Sequence, residues 1–401
     1  EKGADLIIRH GRPEEVIPEL AEEFNVGAVY AHQEVTDEEL QVESALEDAL
    51  FAQSVALEWS WGATLFHRDD LPMPVNSLPE VFTPFRKQTE RYAQVREVLP
   101  TPDHIHYPDG IDAGEIPTLE HLGVSAQKID PRGVLMFKGG EIEGLERLHA
   151  YFWEGDHLRK YKETRNGMLG ADYSSKFSPW LAHGCLSPRM IYQEIKRYED
   201  LRVKNNSTYW LIFELIWRDF FRFICKKHGN KVFYKVGIKG YAKHLRQDWE
   251  LFDKWAEGKT GFPLVDANMR ELNETGFMSN RGRQNVASFL VNDLKIDWRM
   301  GAEYFESLLL DYDVCSNWGN WNYVAGVGND PRENRYFNTI SQSKRYDAKG
   351  DYLRHWLPEL SGLPSSMIHF PADFPQSQLR AEGVTLGGNY PYPVANTKAK
   401  A

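Results

Sequence analysis

At 401 residues the chain is too long for one ordinary hydrophobic core, so more than one domain is expected. Its 42% hydrophobic and 26% charged residues exclude wholesale disorder, and no stretch reaches the roughly 18 apolar residues of a membrane helix. A formal charge of −11 excludes a protein that coats nucleic acid indiscriminately, although a local basic groove remains compatible with it. Cys185, Cys225 and Cys315 are too scattered for a disulfide framework or metal ligation. That fits a reducing compartment; no metal site is expected, and no particular location can be assigned.

Residues 5–9 and 26–31 read as short buried strands. Between them Val16, Ile17, Leu20, Ala21 and Phe24 carry the apolar spacing of a helix over residues 13–24. Strand, helix and strand so close together form a βαβ unit, which predicts a parallel sheet. Another amphipathic helix is expected over 38–56 and another strand over 57–65, giving an α/β unit over residues 1–71. Residues 72–143 read as a connector rich in Pro and Gly, with one helix near 83–96. Helical periodicity then dominates residues 144–365, and 366–401 reads as a loose polar tail. No internal repeat is visible.

Three stretches of the helical region carry chemistry. The first is a helix over 208–228 on which Glu214, Trp217, Arg218 and Phe221 share one face, with Trp210, Phe213, Phe220 and Ile224 toward the core. A carboxylate, an indole and a guanidinium together suit a stacked nucleobase; the plainer reading is a surface ion pair between Glu214 and Arg218. The second is Ser174-Ser175-Lys176-Phe177-Ser178-Pro179, whose hydroxyls precede a helix start that favours a phosphate. Alternatively Ser178 is only an N-cap before Pro179. The third is the run from Leu272 to Arg335, dense in Asn, Asp, Arg and Trp, a mixture that suits a large, flat, charged aromatic ligand. Within it Asn280, Arg283, Asp311 and Asp313 could instead form a structural ion-pair network. Asp311 and Asp313 are expected at a helix C-terminus, where they would oppose the dipole.

Taken with Tyr161-Lys162-Glu163-Thr164-Arg165-Asn166, Glu214-Leu215-Ile216-Trp217-Arg218-Asp219 and Gly258-Lys259-Thr260-Gly261-Phe262-Pro263, these motifs resemble the photolyase/cryptochrome flavoproteins. The resemblance runs from about Asp5 to about Leu360 and is greatest to the cryptochrome-DASH branch. It implies an N-terminal Rossmann-like, parallel-sheet antenna domain, here lacking the family's opening strand motif, joined to an all-helical domain that binds FAD. Tyr161 and Ser174, Ser175, Lys176, Phe177 and Ser178 would meet the phosphates and ribityl chain. Arg218, Asn280, Arg283, Asp311, Tyr312, Asp313 and Asn317 would surround the rings. The implied reaction is blue-light repair of cyclobutane pyrimidine dimers in single-stranded DNA, on a nucleotide flipped out of its stack.

On the same resemblance Glu214 would hydrogen-bond the dimer, Trp217 and Tyr323 would wall it, and Asn280 and Gln284 would border it. Arg218 and Arg281 would contact DNA. Trp321 and Trp298 match the inner part of the family's electron path, but its outer position falls on Leu245, so Trp249, Trp255 or Tyr241 would have to substitute. Gln33 and Glu34 align with contacts to an antenna folate, 5,10-methenyltetrahydrofolate; the plainer reading is an ordinary loop at a strand end. A monomer is expected. The alternative function is a blue-light photoreceptor that binds FAD and acts on a signalling partner.

Overall fold

A computed structural model describes residues 3–396 except 108–109, 127, 242 and 333–334. The N-terminal part runs α1 (Pro13–Glu23), β1 (Ala28–His32), α2 (Asp37–Ala52), β2 (Ala56–Ser60) and α3 (Phe82–Tyr92). Pro13 starts α1 with its φ already helical, and Glu14 and Glu15 sit at the positive end of the dipole. The strands pair in parallel from Ala28 opposite Ala56 to His32 opposite Ser60. They cover Ala21 of α1 and Leu46 and Leu50 of α2, a small core of their own. The expected α/β character is present as this two-stranded sheet.

The chain departs from its expected strands at two places. Residues 5–9 form no strand; their Ile8 N–H donates to the connector carbonyl of Ala113 at 2.7 Å. The strand expected to reach Leu65 stops at Ser60, because the chain turns inward: Trp61 donates its indole N–H to Thr64 Oγ1 at 2.7 Å. Apolar residues 61–66 looked strand-like because they are buried, but they are buried against a helix.

The helical part comprises α4 (Glu141–His149), α5 (Tyr161–Thr164), α6 (Ser178–Ala182), α7 (Pro188–Leu201), α8 (Asn206–His228), α9 (Trp249–Ala256) and α10 (Pro263–Thr275). It continues through α11 (Asn280–Ser288), α12 (Trp298–Leu308), α13 (Val314–Ala325), α14 (Thr339–Tyr346), α15 (Asp351–Trp356) and α16 (Gln376–Ala381). Helix α8 is the central post. Asn205 caps it, accepting from the N–H groups of Ser207 and Thr208, while Lys226, Lys227 and His228 complement its C-terminus. Leu211, Leu215, Ile216, Phe220, Phe223 and Ile224 bury its core face, whereas Trp210 and Phe213, expected there, are only half-buried. Buried Asp219 ties the N-terminal part to this post, accepting the Leu65 and Phe66 N–H groups at 2.8 Å each.

Over its described part, residues 366–396, the expected loose tail is packed, and 397–401 lie outside the described residues. Leu379, Val384 and Tyr390 are buried with α15 in one apolar cluster, and the Tyr390 hydroxyl donates to Asp266 at 2.7 Å. Val394 N–H donates to the Thr260 carbonyl at 2.9 Å as the chain passes over Gly261, where a Cβ would lie 2.6 Å from Pro393 N. A few apolar anchors among many polar residues produce no periodicity, so this packing was not legible. No helix among the described residues is long and apolar enough to cross a membrane.

Candidate active site

A cavity of about 500 Å³ opens between α8, α11, α13 and the loop at 173–178. Its walls include Tyr161, Ser174, Ser175, Lys176, Phe177, Ser178, Glu214, Trp217, Arg218, Asn280, Arg283 and Gln284. Asp311, Tyr312, Asp313, Asn317, Trp321 and Tyr323 complete the expected set. A sequence span of more than 160 positions thus converges on one space. Arg281, Trp298, Gln33 and Glu34 lie off its wall.

The loop before α6 is built in advance. Arg147 donates to the carbonyls of Ala171, Ser174 and Ser175 at 3.0–3.2 Å and to Asp172 at 2.9 Å. Lys176 sits at φ +56°, in the left-handed region that costs a side-chain-bearing residue energy. Its buried Nζ lies 3.3 Å from the Tyr173 ring centroid and has no hydrogen-bond partner among the described residues. Burial, then the Arg147 charge, pulls this amine down to about 7 against Glu271 and Asp172. Ser178 is not the N-cap: it is the first residue of α6, after Phe177, and makes no capping bond.

On the opposite wall Arg283 donates to both oxygens of Asp311 at 2.9 Å and to the Met278 carbonyl. Asp313 corrects the dipole argument. It is the N-cap of α13, accepting the Ser316 N–H at 2.7 Å, so it faces the favourable helix end. Burial raises its carboxyl, but Arg218 and Ser316 outweigh that and hold it below the usual range. Asn317 donates to the Ala302 carbonyl at 3.0 Å.

The Glu214–Arg218 pair does not form. Glu214 is instead ion-paired to Arg165, while Arg218 donates to the carbonyls of Ala63 and Leu181 and lies 4.0 Å from Asp313. Burial raises the Glu214 carboxyl above its ordinary value even against Arg165. Trp217 stacks on Phe82 with centroids 3.6 Å apart and meets Tyr323 edge-on at 5.8 Å. Arg335 braces Tyr323, donating to its hydroxyl at 3.0 Å with its guanidinium 4.8 Å from the ring centroid.

Arg281 donates to Gln284 Oε1 at 2.9 Å and to Asn166 at 2.8 Å, and lies 4.7 Å from the Tyr346 ring centroid. Burial lowers its pKa; Tyr346 opposes that shift, while Arg165, Arg345 and Arg335 reinforce it. This is a basic cluster within an acidic chain. Gln33 accepts from Arg68, and Glu34 pairs with Arg222 of α8. Both side chains are engaged within the chain, Gln33 inside the N-terminal part and Glu34 with the helical part.

Residues 210–401 match the family described as the FAD binding domain of DNA photolyase, and residues 1–103 match DNA photolyase. Cryptochrome DASH of Gloeobacter violaceus is 56% identical over 394 residues, covering 98% of this chain and 79% of that protein. The chain belongs to the photolyase/cryptochrome family. Within it, cryptochrome DASH of Xenopus laevis is 51% identical over 397 residues, covering 98% of this chain and 76% of that one. A Synechocystis cryptochrome structure superposes with a TM-score of 0.96 at 54% identity, covering 99% and 82% of the two chains. A class III photolyase from Agrobacterium tumefaciens gives 0.89 at 29% identity, with the same coverage.

Membership of this photolyase/cryptochrome family includes an FAD-binding domain, and the cavity suits such a ligand: a buried amine without a hydrogen bond, hydroxyls, and an Arg283–Asp311 pair beside aromatic and apolar walls. Sequence reasoning missed Arg147, which sets the loop from outside the motifs, and gave no role to Arg165, Tyr173, Asn320, Arg335 and Phe337. Arg165, Asn320 and Arg335 did lie inside the quoted motifs, so motif membership was the available signal.

Proposed function

We propose that the chain repairs cyclobutane pyrimidine dimers in single-stranded DNA under blue light. The observation that carries this reading is that Glu214, Trp217, Asn280, Gln284 and Tyr323 line the same cavity as the residues proposed to hold FAD. The loop of Ser174 to Ser178 with Tyr161 would hold the phosphates and ribityl chain. Arg218, Asn280, Arg283, Asp311, Tyr312, Asp313 and Asn317 would hold the rings. Reduced FAD, when bound, supplies the light-excited electron that opens the dimer and recovers it afterwards.

The chain's own groups do the rest. Glu214, whose carboxyl burial raises above its ordinary value, would in its protonated form donate a hydrogen bond to a dimer carbonyl, where negative charge develops as the electron arrives. Trp217 and Tyr323 offer perpendicular aromatic surfaces, and stacking of this kind is worth roughly 1–3 kcal/mol per base. Arg281 and its basic neighbours would meet the backbone phosphates. A Tyr at position 323 and a Trp217 face already taken by Phe82 leave limited stacking surface to offset extraction from a duplex. That supports the preference for single strands.

Against a purely signalling receptor count the carboxylate and aromatic residues retained on the cavity wall. The test is anaerobic, light-dependent restoration of monomeric pyrimidines from a dimer-containing oligonucleotide by the reduced, FAD-loaded chain. Absence of restoration with FAD bound would leave the receptor reading.

A further inference from the structure

From the geometry we infer that electrons enter the cavity along Trp249, Trp255 and Trp321, with Trp249 as the surface terminus. The inference rests on the proposal that the cavity holds FAD, and it concerns how the oxidised ring is reduced rather than how a dimer is repaired.

Trp321 lies on the cavity wall and is 2% exposed. Its ring meets that of Trp255 at 6.4 Å and 73°. Trp255 meets Phe252 at 5.6 Å, and Phe252 meets Trp249 at 5.8 Å. Trp249, Phe252 and Trp255 are three residues apart along α9, so one helix carries the row from the interior to solvent. Trp255 is fully buried and Trp249 is 61% exposed. Position 245, by contrast, is a partly buried leucine that cannot be oxidised under these conditions. Trp298 is fully buried, with its indole N–H bound to the Lys235 carbonyl and its ring against Trp318 at 5.6 Å.

The direction follows from solvation. With FAD bound and excited, Trp321 would give up one electron to it; Trp255 would refill Trp321, and Trp249 would refill Trp255 across Phe252, which bridges without itself being oxidised. Trp255 cannot shed its charge as a proton, because its indole N–H faces the Val286 carbonyl at 3.0 Å. At Trp249 water stabilises the charge that a dry interior disfavours, and the indole N–H proton leaves to water. An external thiol then returns one hydrogen atom to Trp249, becoming oxidised in its place. Tyr304 also touches Trp255, at 5.8 Å, but its hydroxyl donates to the amide oxygen of Asn273, which is no base.

The experiment follows light-driven loss of oxidised-flavin absorption with a thiol present and oxygen absent, after flavin content has been measured. W249F and W255F should each slow the loss roughly tenfold at unchanged flavin content, and W249Y should restore most of it, because a phenol can relay where a phenyl cannot. A second readout uses illumination in air and peptide mass mapping, which should find oxygen added at Trp249 and lost from the pattern in W255F. A chain that takes up no flavin refutes the reading on which this rests. Flavin-loaded W249F and W255F that bleach as fast as the parent, with Trp249 unmodified, refute the route alone.

Discussion

Glu214 is ion-paired to Arg165, just past the end of the short helix α5, and not to Arg218 one turn along its own helix. The pairing sets the protonation of the group proposed to meet the dimer. Burial raises the Glu214 carboxyl and Arg165 opposes it, so removing the guanidinium lets the carboxyl rise further. A group that works protonated then keeps working to higher pH. R165M should move the alkaline limb of the repair profile to higher pH. A limb that stays in place or moves down would show that Glu214 acts as a carboxylate.

Lys176 should make flavin binding depend on pH. Its amine is pulled to about 7 in the folded chain against an ordinary 10.5, chiefly by burial. Between these values the unfolded chain holds a proton the folded one has lost, so this group's contribution to stability rises with pH across that window and is flat below it. A bound diphosphate favours the charged amine, so binding takes up a proton above pH 7 and affinity falls as pH rises from there. K176M should flatten that fall and weaken binding at pH 6 by about tenfold or more. Flavin titrations of both proteins from pH 6 to 9 check this; an affinity in the parent that is constant with pH contradicts it.

Asp219 bears on stability rather than chemistry. D219A leaves the buried Leu65 and Phe66 N–H groups without their acceptor, at about 1–3 kcal/mol for each. A loss of roughly 2–5 kcal/mol in denaturant unfolding is expected, with the α/β part released first. Unfolding indistinguishable from the parent would mean that the two parts are held together elsewhere.

Much of this architecture was legible in the sequence where one physical signal dominated. The period of α8 and the two strands near 28–32 and 56–60 with a helix between them were legible, although the strand expected over 5–9 is absent. The cavity residues were legible mainly because their motifs are long enough to carry the family resemblance. What failed was local. Residues 61–66 are apolar for a helix-facing turn, not a strand, and Asp313 belongs to the helix after it rather than the one before. The Glu214 partner lies 49 positions away, and spacing along one helix cannot reveal a partner on another.

The central claim is that one cavity serves both the flavin and a flipped dimer, with Glu214 belonging to the dimer. Flavin content and light-driven repair of a single-stranded, dimer-containing oligonucleotide, measured together in the parent and E214A, test it most directly. The account predicts equal flavin content and repair reduced roughly tenfold to a hundredfold in E214A. Flavin released by the substitution, or repair at the parental rate, would contradict it.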